Sequence, residues 1–193
     1  MINKQFSIWQ KIGHVGYEMI PVVLGVLLAL AMENSVQRRE EHAQMQEMLE
    51  AISEEQKLNK ERIVVLLPKM ERTIDTLHHF KGDTSINLID IAQKIKGYST
   101  PDLSTATLGL GSERLKALLD VRLLTSIAEL EVLYRNYDRV AEKIPAQFYE
   151  HFDDADPHAK QVTALIYTDI LENLERIQSG MAEFDRALEE SKN

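Results

Sequence analysis

Two groups of residues have types and spacing that could support chemistry. The first is a run of potential metal ligands, because carboxylates and imidazoles suit a divalent cation. Its spacing matches neither an EF-hand loop nor a His-Glu-x-x-His helix. Asp156-Pro157 also reads as an N-cap followed by a first-turn proline, which predicts an acidic, solvated linker leading into the last helix. We favour the linker and keep a metal-dependent enzyme as the least favoured alternative; its candidate ligands are Glu150, His151, Asp153, Asp154, Asp156 and His158.

The second group centres on Glu18, a carboxylate inside the longest apolar stretch of the chain, Ile12 to Met32. A carboxylate at the bilayer centre costs roughly 2.5–3.5 kcal/mol and usually faces other protein or a water-filled cavity. Glu18 could therefore be a proton or ion site. Alternatively it lies near one interface, reaches back toward His14 or Lys11, and only orients the helix. We favour this second interpretation, because Glu18 is near the end of the stretch and both partners lie one and two turns before it.

No other feature predicts catalysis or a cofactor. The chain has no cysteine, which excludes thiolate chemistry and cysteine–metal sites. The glycine-rich loop Gly109-Leu110-Gly111-Ser112 lacks the preceding strand, the lysine and the third glycine of a phosphate-binding loop. His78 and His79 are adjacent, so on a helix they point about 100° apart and do not easily share an ion. We therefore predict a non-enzymatic protein without a cofactor.

The apolar stretch predicts a transmembrane helix over residues 12–32, after a short tail over 1–11. Its 21 residues rise roughly 31 Å as a helix, about the thickness of the hydrocarbon core. A cleaved signal peptide is the competing interpretation. It is less favoured because no A-x-A-like site followed by a turn is present, and because the residues from Glu33 onward continue the helical pattern.

One face of the predicted span carries polar and small residues together. At about 100° per residue these positions fall within about 40° of one line along the helix. Gly25 and Ala29 make a small-xxx-small pair, the spacing that lets membrane helices approach closely. This face predicts an interface with a second copy or with another membrane protein. We call it the anchor stripe; it consists of Lys11, His14, Glu18, Val22, Gly25, Ala29 and Met32.

The stretch from Glu18 through Gly25 to Leu30, followed by Glu33-Asn34, resembles the N-terminal anchor of a group of bacterial single-span proteins of unknown function. Their anchors read glutamate, six apolar residues and Gly-Ile-Leu-Ile-Ala-Leu, followed by a charged helix. A second likeness is Ser104-Thr105-Ala106, which resembles a segment that precedes a Leu-rich helix ending in Leu-Tyr, as Leu133-Tyr134 does here. The resemblance implies an anchor and a helical domain, and it implies no activity.

The charge balance bears on partners and on location. The chain has a net charge of −9, and because Lys4, Lys11 and Glu18 sum to +1, the residues after the span carry −10. A domain this acidic disfavours nucleic acid and anionic membrane surfaces as partners. The positive-inside rule compares Lys4 and Lys11 with Arg38 and Arg39, and it slightly favours a cytoplasmic N-terminus. For the bacterial inner membrane that the resemblance implies, this orientation predicts that the domain, residues 33–193, lies in the periplasm.

The sequence pattern of the domain, residues 33–193, predicts helices throughout. Apolar positions from Met45 to Leu77 recur at steps of three and four and predict one long helix over about 33–80, which Pro68 should kink or interrupt. Gln56 and Asn59 occupy this seam; they either fix register or oligomer state or mark a stretch with no packed partner. Short helices are predicted over about 86–119: Gly97 closes the first, and Thr100-Pro101, as N-cap and first-turn proline, begins the second. Further predictions are a helix over about 120–143 that Pro145 ends, a linker over 145–156 and a helix over about 157–192.

Together these patterns predict an all-α protein in which one N-terminal transmembrane helix continues into an elongated, antiparallel, coiled-coil-like bundle. Tyr134 and Tyr137 lie on the apolar stripe of their helix and are predicted to be core. The predicted function is a membrane-anchored scaffold or accessory subunit that assembles through the anchor stripe and the bundle, with protein partners or as a homo-oligomer. The alternative is a subunit of a proton- or ion-conducting complex in which Glu18 titrates.

Overall fold

The computed structural model describes residues 5–98, 102–108 and 118–191, with the side chains of residues 5–20, 22 and 23 outside that description. The chain divides into two compact units, residues 1–46 and residues 47–193. Within the described ranges there are five helices and no strand, which confirms the predicted all-α class. They are α1 (Gln5–His79), α2 (Leu88–Ile95), α3 (Val121–Ala141), α4 (Lys143–His151) and α5 (Pro157–Glu190).

The long helix α1 runs without a break to His79. Pro68 therefore does not interrupt it, which was one of the two outcomes predicted for this proline. Pro68 is exposed and removes a single backbone donor, while Ile63 and Met70 on either side are almost fully buried and hold the helix in place. The predicted apolar seam is the buried face of α1 in the second unit; its core residues are Leu49, Ile52, Ile63, Met70 and Leu77.

Helix α2 begins and ends on strong local signals. Asn87 forms a capping box with Asp90, whose backbone N–H donates to the Asn87 side chain at 2.9 Å. At the other end Lys96 and Gly97 both adopt positive φ, at 63° and 97°, which the predicted closure by Gly97 requires. The first of the predicted short helices is thus confirmed.

The second predicted short helix is wrong where the structure describes it, because residues 102–108 form an irregular segment. Side chains of α1 bond the backbone groups that a helix would pair internally, as described below. Thr100 and Pro101, its predicted start, lie outside the described residues, as do residues 109–117 with the glycine-rich loop and Ser112.

Pro145 does not end a helix, contrary to the prediction. Helix α3 ends at Ala141, and α4 begins at Lys143 with Pro145 in its first turn. The first backbone N–H groups of a helix have no intrahelical acceptor, so a proline there costs no hydrogen bond. The predicted linker over 145–156 is therefore helical as far as His151, and only its last residues connect α4 to α5.

Helix α5 begins at Pro157, with Asp156 as its N-cap, as predicted. Bonds near both ends of α5 define its direction within the second unit. Near its start the fully buried Lys160 donates to the backbone carbonyl of Asp83, just after α1 ends. Near its end Glu183 and Glu190 pair with Arg122 at the start of α3. Helix α5 thus runs antiparallel to α3 and to the second-unit part of α1.

Gly180 lies where α5 crosses α3 closely. A Cβ atom at this position would lie 2.8 Å from Leu133 Cδ1 and 3.1 Å from Leu130 Cδ2. Leu130 is fully buried, whereas Leu133 is only half-buried and its terminal methyl can move. Helices α3 and α5 therefore come this close because residue 180 is a glycine and has no side chain.

We expect Gly180→Val to lower the free energy of unfolding by about 2–3 kcal/mol, because its branched side chain overpacks this crossing. Gly180→Ala should change it by less than about 1 kcal/mol, since higher helix propensity offsets a displaced leucine methyl. Ser179→Val, on the exposed neighbouring position, is the matched control for the β-branched residue. Urea unfolding of the full chain in mild detergent measures all three; equal losses at 179 and 180 would contradict the close approach.

In the first unit, the described side chains from Leu24 to Glu40 are all exposed, among them Leu24, Leu27, Leu28 and Leu30. Apart from the neighbouring residues and the surrounding helix backbone, no heavy atom that the structure describes lies within 4 Å of the position a Cβ of Gly25 would take. Among the residues that the structure describes, no helix has the length and apolar character needed to cross a membrane.

Candidate functional site

The densest set of long-range polar contacts joins α1 to residues 102–108, which we call the strap. Four side chains of α1, namely Glu55, Gln56, Asn59 and Arg62, occupy successive turns of one face. The first three interrupt the apolar seam and are buried. We call the set formed with the strap and with α3 the polar cluster; it comprises Glu55, Gln56, Asn59, Ser104, Thr107 and Tyr134.

Glu55 holds one end of the strap. Its carboxylate accepts hydrogen bonds from the backbone N–H of Ala106 at 2.8 Å and of Thr107 at 3.0 Å. It also accepts from the hydroxyls of Ser104 and Thr107. Four donors thus converge on a side chain that is only 8 % exposed. A buried carboxylate with this many donors is satisfied rather than orphaned.

Asn59 and Arg62 hold the other end of the strap. The fully buried Asn59 amide bonds both backbone groups of Ser104: its Nδ2 donates to the carbonyl at 2.7 Å, and its Oδ1 accepts from the N–H at 3.0 Å. Arg62 donates to the carbonyl of Asp102 at 2.8 Å. With the four bonds to Glu55, seven hydrogen bonds from three α1 side chains hold the strap, and two apolar side chains, Leu103 and Leu108, are buried with it.

Tyr134 extends the polar cluster to α3. Its hydroxyl accepts from Asn59 Nδ2 at 2.9 Å and donates to Gln56 Oε1 at 2.6 Å. Gln56 Nε2 is buried and has no hydrogen-bond partner among the described residues. Tyr134 and Tyr137 are each 1 % exposed, which confirms the prediction that both are core.

The electrostatics follow from these bonds. Burial alone would raise the pKa of Glu55, but the four hydrogen bonds from Ser104, Ala106 and Thr107 outweigh it and hold the pKa below its ordinary value of 4.5. Burial raises the pKa of Tyr134, with an opposing contribution from the Asn59 bond. At neutral pH the cluster therefore contains an ionised Glu55 and a neutral Tyr134 that can donate.

This arrangement suits recognition of a backbone segment better than proton transfer. A carboxylate whose pKa is lowered and whose lone pairs are occupied is a weak general base. The hydroxyls of Ser104 and Thr107 donate to it, and within the described ranges no histidine is bonded to either, so neither shows the base that activates a nucleophile. The cluster's chemistry is the holding of an irregular segment through main-chain groups and two hydroxyls.

The contacts of Gln56 and Asn59 exclude one of the two interpretations that the sequence left open for these residues. Both side chains have packed partners, so the interpretation that they mark a stretch with no partner is wrong. Glu55 was missed as a candidate. Its signal was the run of polar residues, Glu55, Gln56 and Asn59, at the centre of a seam that is otherwise apolar.

The predicted metal-ligand run does not converge in the structure. His151 Nδ1 lies 3.5 Å from Asp154 Oδ2, while Asp156 caps α5 by accepting from the His158 N–H at 3.1 Å. Among the described residues, which include all of 150–158, no three histidine or acidic side chains form a group that could hold a metal ion. The predicted N-cap role of Asp156 is confirmed.

Of the anchor stripe, the side chains of Lys11, His14, Glu18 and Val22 lie outside the described residues. Gly25, Ala29 and Met32 lie within them and are exposed. His78 and His79 lie in the last turn of α1, where His79 packs edge-on against Phe80 at 4.7 Å between ring centroids.

The fold and the cluster together define an all-α protein with a buried polar cluster. Comparison with known proteins found no matching family model, no similar curated protein and no similar solved structure.

Proposed function

We propose that this protein is a membrane-anchored, non-enzymatic scaffold or accessory subunit that assembles through its anchor stripe and its helical bundle. The observation that carries the proposal is the open face at Gly25. The surrounding apolar side chains, Leu24, Leu27 and Leu28, are more than half exposed, and nothing occupies the space beside Gly25. An open small-residue face among exposed leucines suits close packing by another helix.

The second unit supports assembly as well. Helix α3 presents a shallow apolar groove of about 630 Å³ whose lining includes Leu124, Ala128 and Val132. Val121, one turn before it, is 77 % exposed. Contiguous exposed apolar surface of this kind is typical of protein–protein contact sites.

The location belongs to the same proposal. Residues 12–32 act as a single span in a bacterial inner membrane, with the N-terminus in the cytoplasm and the helical domain in the periplasm. The apolar stretch, the flanking Lys4 and Lys11, and the resemblance to anchors of bacterial single-span proteins support it.

The test is a pair of substitutions in the anchor. Ala29→Leu, alone or with Gly25→Leu, should shift the full chain in mild detergent from oligomer toward monomer, because leucine keeps the helices apart. Since a Cβ at Gly25 would touch nothing, the change does not disturb the single chain. Ala31→Leu, on the opposite face of the same helix, is the matched control and should leave the mass unchanged. A wild-type monomer, or an oligomer that Ala29→Leu does not weaken, would overturn the proposal.

A further inference from the structure

The α1 face that holds the strap has the properties of a docking site for a peptide segment. All seven bonds to the strap come from side chains of one helix. Helix side chains at positions 55, 59 and 62 follow the spacing of one face. The residues that bond the strap therefore all belong to one face of α1.

The contacts also define what the face can bind. Asn59 pairs both main-chain groups of one residue, and five of the seven bonds involve the strap's main chain, which any segment of the same backbone conformation offers. The two remaining bonds require hydroxyls three positions apart, at Ser104 and Thr107. Buried Leu103 and Leu108 add an apolar residue at each side. The fitting ligand is a Leu-Ser-x-x-Thr-Leu segment that ends in a turn, as residues 106–108 do.

We propose that this face is an exchangeable docking site, filled in the single chain by its own strap and, in an assembled pair, by the strap of a second copy. The second copy is the natural partner because its strap has the same sequence and makes the same seven bonds. Exchange of identical elements therefore loses no contact. The inference rests on the proposed function, because a shared membrane holds two copies at high effective concentration and so lets exchange compete with binding of the chain's own strap.

The experiment uses the absence of native cysteines. One full-length variant carries Arg62→Cys and the other carries Asp102→Cys; both residues are exposed, and the arginine side chain alone bridges the distance between them. The two are reconstituted together in lipid vesicles and treated with a short thiol-to-thiol cross-linker. Exchange predicts a cross-linked heterodimer, about ten-fold above the yield for Asp102→Cys mixed with Glu172→Cys on the exposed face of α5.

The double variant Arg62→Cys, Asp102→Cys in one chain is the positive control, since it should cross-link within the chain. Efficient linkage within the chain, together with linkage between chains no higher than the Glu172 control, overturns strap exchange. Mass measurement on the same vesicles after solubilisation separates this failure from that of the proposed function. An oligomer without the specific link removes only the inference, whereas a monomer removes the proposed assembly.

A second measurement keeps the inference testable if a cysteine variant is unstable. Ser104→Ala with Thr107→Val removes both strap hydroxyls but leaves α1 unchanged. A labelled peptide with the sequence of residues 102–108 should bind this full-length variant saturably and lose at least about ten-fold in affinity, or about 1.4 kcal/mol, when Asn59→Leu is added. Absence of saturable binding at millimolar peptide, on the order of the effective concentration of a tethered segment, would show that the face does not accept a segment from another molecule.

Discussion

Glu55→Ala should lower the free energy of unfolding by about 4 kcal/mol, because it leaves four donors of the strap without their charged acceptor. At this chain length the loss corresponds to a melting temperature lower by roughly 10 °C. Glu54→Ala, on the exposed neighbouring position of the same helix, should change stability by less than about 0.5 kcal/mol. Thermal and urea unfolding of the full chain in mild detergent measure both variants.

The same residue predicts a pH dependence with a definite sign. The pKa of Glu55 is lower in the folded chain than its ordinary value of 4.5, so the ionised form stabilises the fold above that value. As the pH falls below 4.5, toward and through the lowered folded pKa, this stabilisation is lost. Glu55→Gln keeps the shape of the side chain without the titration.

The difference in stability between wild type and Glu55→Gln should therefore be constant from pH 7 to about pH 5 and shrink at lower pH. This difference cancels groups that titrate in both proteins. Among them is Asp138, whose pKa is raised by burial and by nearby Glu142 and Asp102 and which contributes with the opposite sign. A difference that grew on acidification, or a Glu55→Ala loss no larger than that of Glu54→Ala, would contradict the assigned role of Glu55.

Asn59→Leu should lower the free energy of unfolding by about 3 kcal/mol. Leucine has a similar shape but leaves the N–H and carbonyl of Ser104 without their partner in a buried site, and it removes a donor from Tyr134. Asn173→Leu on α5 is the matched control, because that amide donates to the Asp169 carbonyl of its own helix, at 2.7 Å, and bonds no other helix of the described chain. The control should stay within about 0.5 kcal/mol of wild type.

A double-mutant cycle with Tyr134→Phe tests whether the cluster acts as one network. Asn59 and Tyr134 share a hydrogen bond, so the cost of Asn59→Leu should be smaller by about 1 kcal/mol in the Tyr134→Phe background. Additive losses would mean that the two side chains stabilise the fold separately, and the description of the cluster as one network would then be wrong.

Much of the fold follows from local patterns. The steps of three and four along α1, the capping sequence Asp156-Pro157 and the closure near Gly97 act within a few residues, and the structure has a helix or a helix end at each. The two errors have the same origin. Pro145 and residues 102–108 carry local signals whose outcome depends on what surrounds them: Pro145 fits the first turn of α4, and the strap's backbone finds partners on another helix.

By itself the sequence determined that the chain is helical, which face of α1 is buried, and that Tyr134 and Tyr137 are core, because apolar periodicity is a property of neighbouring residues. Only the tertiary structure decided the role of the polar residues in that seam. Glu55 bonds residues 49 to 52 positions away, and Asn59 and Gln56 bond a tyrosine 75 and 78 positions away. Contacts at such separations depend on how α1, the strap and α3 pack, since no local pattern encodes which buried acceptor meets which distant donor.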